Sequence, residues 1–261
     1  VNVQAATTAK VALASARGAG QATLAVTAGG ISGHVPVKGT CPRSENAGTV
    51  HVEVVRSGVW SMSGPQELEF RTGFAKFLGV PYGVCVTNGT HSLQLALEAL
   101  DIGAGDEVIV PGLTWQATAA CALDVNAVPV LVDIEPETLT IDPRVIRTAI
   151  TPRTKAIIAV HLYSCMADMD AILAIGAEYG IPVIEDCAHQ HGSEWRGKKA
   201  GALGTLGSFS LQQSKVLTAG EGGFIATSDE RLFQRLEALR FCGRPPKSDR
   251  PLAPDACRAL E

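Results

Sequence analysis

The sequence predicts an α/β fold built on a mostly parallel sheet covered by helices on both faces. Two observations carry this. From about residue 50, short runs rich in Val and Ile alternate with segments of helical period, the β-α-β-α order that parallel strands need for their crossovers. Several of the apolar runs stop at Pro, Asp, Asn or His, the polar punctuation expected at strand ends. A length of 261 residues, with 46% apolar and 18% charged side chains, suits a soluble globular chain with ample core.

The elements follow in order. Residues 1–48 are rich in Ala, Gly, Thr and Val, with almost no acidic residues and no clear amphipathic period; they are expected to be a flexible, unassigned extension. A helix is expected over 65–78, a strand over 84–87, a helix over 90–101 and a strand over 107–111. An Ala-rich helix over 115–125 leads to a strand over 128–133. Further strands fall at 156–161, 181–186, 206–211 and 223–227, with helices at 168–179 and 229–241. Residues 49–245 thus read as one large domain, and 246–261 as a Pro-containing tail too short for a second one.

Charge and cysteine usage exclude several classes. A net charge of −4 leaves no basic footprint for nucleic acid. No run reaches the ~18 apolar residues of a membrane span. No charged head and apolar block mark a secretory leader. The seven cysteines at 41, 85, 121, 165, 187, 242 and 257 form no CxxC pair, so neither a zinc ribbon nor a disulfide framework is indicated. A reducing cytoplasm is the expected location.

Three segments can carry chemistry. Thr87-Asn88-Gly89-Thr90 joins a strand to the helix of Leu93, Leu95 and Leu97; a helix start there offers free N–H groups and positive dipole to a phosphate, or is simply an N-cap. The apolar Val183-Ile184 run ends in Glu185-Asp186 and is followed by His189 and His191. A carboxylate at a strand end is costly unless it meets a cation. A protonated pyridine nitrogen would serve; so would a metal, with Asp186, Cys187, His189 and His191 as ligand candidates. No second ligand cluster stands out, and no metal is expected. Finally, Lys215 sits between the run 206–211 and a cluster of Gly220, Gly222 and Gly223. Burial or nearby cations can turn such a lysine into a nucleophile, although most loop lysines are merely solvated. Lys198 and Lys199 follow Trp195-Arg196-Gly197 and read as an exposed turn. The repeat Gly201-x-x-Gly204-x-x-Gly207 is not a dinucleotide fingerprint, because strand, glycines and distal acid are not in order.

Taken together and in order, these blocks resemble the DegT/DnrJ/EryC1/StrS family of pyridoxal phosphate (PLP) enzymes of fold type I. The matching blocks are T-N-G-T at 87–90, G-D-E-V-I-V-P at 105–111, T-W at 114–115, H-L-Y at 161–163, A-D-M-D at 167–170, E-D-x-A-H-x-H-G at 185–192, the run from Ser208 to Lys215, and G-E-G-G at 220–223. The resemblance implies the large domain of that fold, a three-layer α/β/α sandwich with a mostly parallel seven-stranded sheet. The family's small C-terminal domain is expected to be missing here.

The resemblance also implies roles. Lys215 would hold PLP and move the proton during transfer. Asp186 would pair with the pyridine nitrogen, and Trp115 would stack on the ring. Gly89, Thr90 and Ser210 would bind the phosphate, with His189 near the ring hydroxyl where many members have Gln. The implied reaction is transamination of a keto sugar or keto cyclitol by glutamine or glutamate, in a homodimer. The run from Gln212 to Gly223 looks most like glutamine-dependent scyllo-inosose and 2-deoxy-scyllo-inosose aminotransferases of aminoglycoside biosynthesis. A 3-amino-5-hydroxybenzoate synthase and an inactive truncated fragment are the alternatives.

Overall fold

The computed structural model describes residues 10–13, 22–28, 31–37, 64–163 and 165–243. The chain divides into two units, Val1–Gln66 and Glu67–Glu261.

In the first unit, β1 (Lys10–Leu13), β2 (Ala22–Ala28) and β3 (Ile31–Val37) form an antiparallel sheet in that order. β1 and β2 pair with Leu13 opposite Leu24; β2 and β3 pair with Ala28 opposite Ile31. The flexible extension expected over 1–48 lies for the most part outside the described residues, and these three strands fall within it. The signal was weak because runs such as Ala22–Ala28 mix Ala, Val, Leu and Thr without strict alternation, so β-branching alone marks them. The tail expected at 246–261 lies outside the described residues.

The second unit is built on seven strands. They are β4 (Tyr82–Val86), β5 (Glu107–Pro111), β6 (Val128–Val132), β7 (Thr154–Val160), β8 (Val183–Asp186), β11 (Leu206–Ser210) and β12 (Gly223–Thr227). Their order is β4-β12-β11-β8-β7-β5-β6. β12 runs antiparallel to both neighbours, and the other pairings are parallel. Every strand expected from sequence in this region is present within a few residues. A short hairpin, β9 (Glu194–Trp195) and β10 (Lys198–Lys199), turns through Arg196 and Gly197, both at positive φ. That is the exposed turn the sequence indicated.

Six helices cover the sheet: α1 (Pro65–Leu78), α2 (Gly89–Ala99), α3 (Ala117–Asp124), α4 (Pro143–Ala149), α5 (Met169–Tyr179) and α6 (Glu230–Arg240). The two-residue period of each strand divides its side chains between two cores. Val84, Val108, Ile158, Ile184 and Ile225 pack with Leu93, Leu97, Cys121 and Leu236 of α2, α3 and α6. Ile109, Ile157 and Val183 pack with Ile146 and Ile172 of α4 and α5, and Phe209 and Phe224 pack with Phe74 of α1. The result is the three-layer α/β/α sandwich. α4 was not foreseen: it is seven residues long, and its one strong signal is Asp142 capping the Arg144 N–H ahead of Pro143.

The glycine repeat at 201, 204 and 207 is a packing device. A Cβ on Gly207 would lie 2.4 Å from the Gly201 Cα, and one on Gly204 would lie 2.6 Å from the Val183 carbonyl oxygen. Backbone meets backbone there, which only glycine permits.

Candidate active site

The carboxyl ends of the parallel strands surround a cavity of about 730 Å³, where α/β sheets bind ligands and within the size range of small-molecule sites. Gly89, Thr90, Trp115, Asp186, His189, Ser210 and Lys215 all line it. The fold thus brings together every site residue expected from sequence, drawn from segments up to 126 positions apart.

One end is the start of α2. Asn88 holds extended backbone, and its Oδ1 accepts the His91 N–H at 2.8 Å. Gly89 and Thr90 occupy the first two helical positions, whose N–H groups have no acceptor inside the helix. A Cβ on Gly89 would stand 2.7 Å from the Ser210 Cβ, and one on Gly223 would stand 2.3 Å from the Asn88 oxygen. Two glycines therefore let the helix start press against the ends of β11 and β12. Ser92, one turn in, donates to the Gly89 carbonyl at 2.7 Å and meets Ser208.

Asp186 faces the cavity from the end of β8, only 6% exposed. Thr118 Oγ1 donates to its Oδ2 at 2.9 Å, and the Ala188 N–H donates to its Oδ1 at 3.1 Å. Because Thr118 spends its one hydrogen on the carboxylate, it accepts from Thr114, 2.8 Å away. Among the described residues no basic side chain pairs with Asp186. Its negative charge is held in place and left available to a cation.

Glu185, one residue earlier, points the opposite way and is fully buried. Its Oε1 accepts the N–H groups of Leu203 and Gly204, and its Oε2 accepts the N–H of Gly201. The fourth partner is His161 at 3.0 Å. His161 Nδ1 already accepts the Ala167 N–H, so Nε2 carries the hydrogen and donates to Glu185. His161, Glu185 and Cys187 are the one close grouping of metal-ligand types among the described residues, but their donors and acceptors are already matched to one another. Burial also drives the Cys187 thiol well above its usual range. The ligand set weighed from sequence, Asp186, Cys187, His189 and His191, is not assembled: Asp186 lines the cavity from the end of β8, while Cys187, just past it, is buried with Phe74, Phe209 and Phe224.

Lys215 is half-buried in the loop between β11 and β12. Its backbone N–H donates to Gln212, whose Oε1 also accepts the Ser214 N–H and hydroxyl. The loop closes through the Leu211 N–H to Gly222 and the Ala219 N–H to Leu211, with Gly220 and Gly222 at positive φ. Burial, then the charge of Lys215, lower the pKa of His189 against the opposing pull of Asp186. Burial also lowers His191, whose Nε2 donates to the Ser210 carbonyl at 2.8 Å. Trp115 stands on the rim, 71% exposed.

Sequence reasoning missed Thr118 and Gln212 in this site. Thr118 meets Asp186 across 68 residues, a separation no local pattern reveals. Thr114 and Tyr163 also line the cavity; both lay inside recognised blocks without a role.

These residues fit PLP. A buried carboxylate suits a ring nitrogen, a helix start opened by Gly89 suits a phosphate, and a lysine lines the same cavity.

The sequence pattern of the DegT/DnrJ/EryC1/StrS aminotransferase family matches residues 43–255. The chain is 51% identical over 215 residues to the L-glutamine:2-deoxy-scyllo-inosose aminotransferase of Streptomyces fradiae, covering 80% of this chain and 50% of that protein. It is 53% identical over 197 residues to the enzyme of the same name from Streptomyces paromomycinus, covering 73% and 46%. The crystal structure of 3-amino-5-hydroxybenzoic acid synthase superposes with a TM-score of 0.76 at 38% identity, covering 80% of this chain and 55% of that one. The chain spans about half the length of the curated relatives it matches. With the family pattern covering most of its length, the chain belongs to the DegT/DnrJ/EryC1/StrS aminotransferase family.

Proposed function

We propose that this chain binds PLP and serves transamination of a keto cyclitol or keto sugar, with glutamine or glutamate as donor. The observation that carries this is the unpaired, buried Asp186 carboxylate sharing one cavity with Lys215 and the start of α2. When bound, PLP supplies an electron sink for breaking bonds at the donor α-carbon. Asp186 holds a proton on the ring nitrogen, and the Thr114 to Thr118 relay keeps its carboxylate oriented. Gly89 and Thr90 N–H groups and the Ser210 hydroxyl hold the phosphate, and Trp115 covers a ring face. Lys215 Nζ would anchor the cofactor and, once freed, would take up the proton that leaves the donor α-carbon and return it on the cofactor side. Burial, then Lys215, lower the His189 pKa against the pull of Asp186, which favours the neutral ring as the partner of the ring hydroxyl.

The named relatives favour glutamine and 2-deoxy-scyllo-inosose; the likeness to 3-amino-5-hydroxybenzoic acid synthase keeps that chemistry as the second reading. We take 49–245 as the cofactor domain, 246–261 as a tail and a homodimer as the working assembly. We take a reducing cytoplasm as the location, because the five described cysteines are free; among the described residues no helix is long and apolar enough to cross a membrane.

The test is cofactor binding. Added PLP should give a visible absorbance band that Lys215→Ala abolishes, and glutamine should bleach it. A folded chain that gives no band supports the inactive-fragment alternative. An active chain is then offered 2-deoxy-scyllo-inosose against a nucleotide-linked keto sugar.

A further inference from the structure

Tyr163 follows β7 at the cavity mouth in a conformation that needs an explanation. Its φ is +54°, in the left-handed region that aromatic residues rarely adopt. Its side chain is 62% exposed. Such backbone persists only where surrounding structure enforces it. Gln190 ties down this backbone: it is 5% exposed and donates from Nε2 to the Tyr163 carbonyl at 2.7 Å. Gln190 is itself fixed: Ser193 donates to its Oε1, and its own N–H donates to Cys187. A buried amide on the β8 side is thus spent on holding one exposed tyrosine.

The consequence is where the ring stands. It lies 6.2 Å from the His189 ring at an interplanar angle of 30° and lines the cavity. The groups suited to the cofactor, Asp186 and Ser210, are less than a tenth exposed. Tyr163 lines the same cavity from a far more exposed position.

We propose that Tyr163 is a specificity residue for the keto acceptor, with Gln190 as its positioning residue: its ring face stacks on the C–H face of a six-membered polyol ring. This rests on the keto-cyclitol reading above. A cyclitol with equatorial hydroxyls presents axial C–H groups on both faces, an apolar surface matched to an aromatic face. Among the described residues no hydrogen bond occupies the phenol hydroxyl, which leaves it to a ring hydroxyl, the pairing of apolar body and polar tip for which Tyr is suited.

The test is saturation-transfer NMR of scyllo-inosose on the PLP-loaded chain, with cofactor absorbance and melting temperature measured in parallel. Tyr163→Gly removes the ring and accepts the left-handed backbone without strain. It should weaken scyllo-inosose binding roughly three- to tenfold and lose transfer to the ring hydrogens. Its absorbance should not change, and it should melt no lower than the parent. Tyr163→Asn, which also tolerates that backbone, should weaken binding alike, while Tyr163→Phe should stay within about twofold, since it keeps the stacking face. Equal transfer in the parent and in both ring-deleted variants overturns the inference alone. No transfer to the parent overturns the keto-cyclitol reading, and the inference with it.

Discussion

Glu185→Gln tests how the back wall of the site is held. The carboxylate accepts four hydrogen bonds: Leu203 and Gly204 on Oε1, Gly201 and His161 on Oε2. An amide has one oxygen and one NH₂ group. Whichever way it turns, the NH₂ faces two N–H donors. If it faces Leu203 and Gly204, both are backbone groups that cannot change role. If it faces Gly201 and His161, the imidazole cannot invert, because Nδ1 is committed to Ala167. Two buried donors lose their acceptor, at about 1–3 kcal/mol each. A loss of about 2–6 kcal/mol follows, a large share of the ~5–15 kcal/mol that holds a domain together. For a domain of this size that is a fall of roughly 4–24 °C in melting temperature. Urea titration and thermal melting of the two proteins measure it directly. A variant within about 1 kcal/mol of the parent would refute the reasoning, since it would mean that the Gly201 to Gly204 segment does not depend on this acceptor.

Gly89→Ala places a methyl 2.7 Å from the Ser210 Cβ and 3.2 Å from its Cα. Neither atom can swing away, so the start of α2 must shift. PLP affinity should fall at least about tenfold with circular dichroism unchanged, and unaltered affinity would show that the close approach does not shape the anion end. Acid should weaken the fold through His189 and His191. Both are depressed in the folded state by burial first, so the unfolded chain binds more protons as pH drops. Their contribution is complete above the ordinary His value of ~6.5 and is lost as pH falls through the lower folded values. The drop in melting temperature on going from about pH 7 to about pH 5 should shrink in His191→Asn; an identical drop would remove His191 from the account.

Much of this architecture was legible because its signals are local. A strand of the second unit is a short apolar run with a polar stop, as in Glu107–Pro111 or Gly223–Thr227. Where a helix such as α2 or α5 has a capping side chain and a periodic face, its start can be read from a few residues. Residues just after such strands converge on one edge of a parallel sheet, which put the segments around Gly89, Asp186 and Lys215 under suspicion, while Thr90, Trp115, His189, Ser210 and the individual roles came from the family resemblance. Elements without such signals were not legible: α4 is too short for a period, and β1 to β3 lack strict alternation.

The sequence by itself determined the α/β class, the order of the blocks and the identity of Asp186 and Lys215 as candidates, because these depend on neighbours in the chain. Only the tertiary structure decided what each candidate faces. Glu185 and Asp186 are adjacent carboxylates; the two-residue period of β8 sends one into a cage of backbone N–H groups and the other to the cavity. Thr118 supports Asp186 from 68 positions away, and Gln190 holds Tyr163 from 27 away. Such pairings are set by strand order, pleat and face, which arise from packing the whole sheet and leave no trace in local spacing.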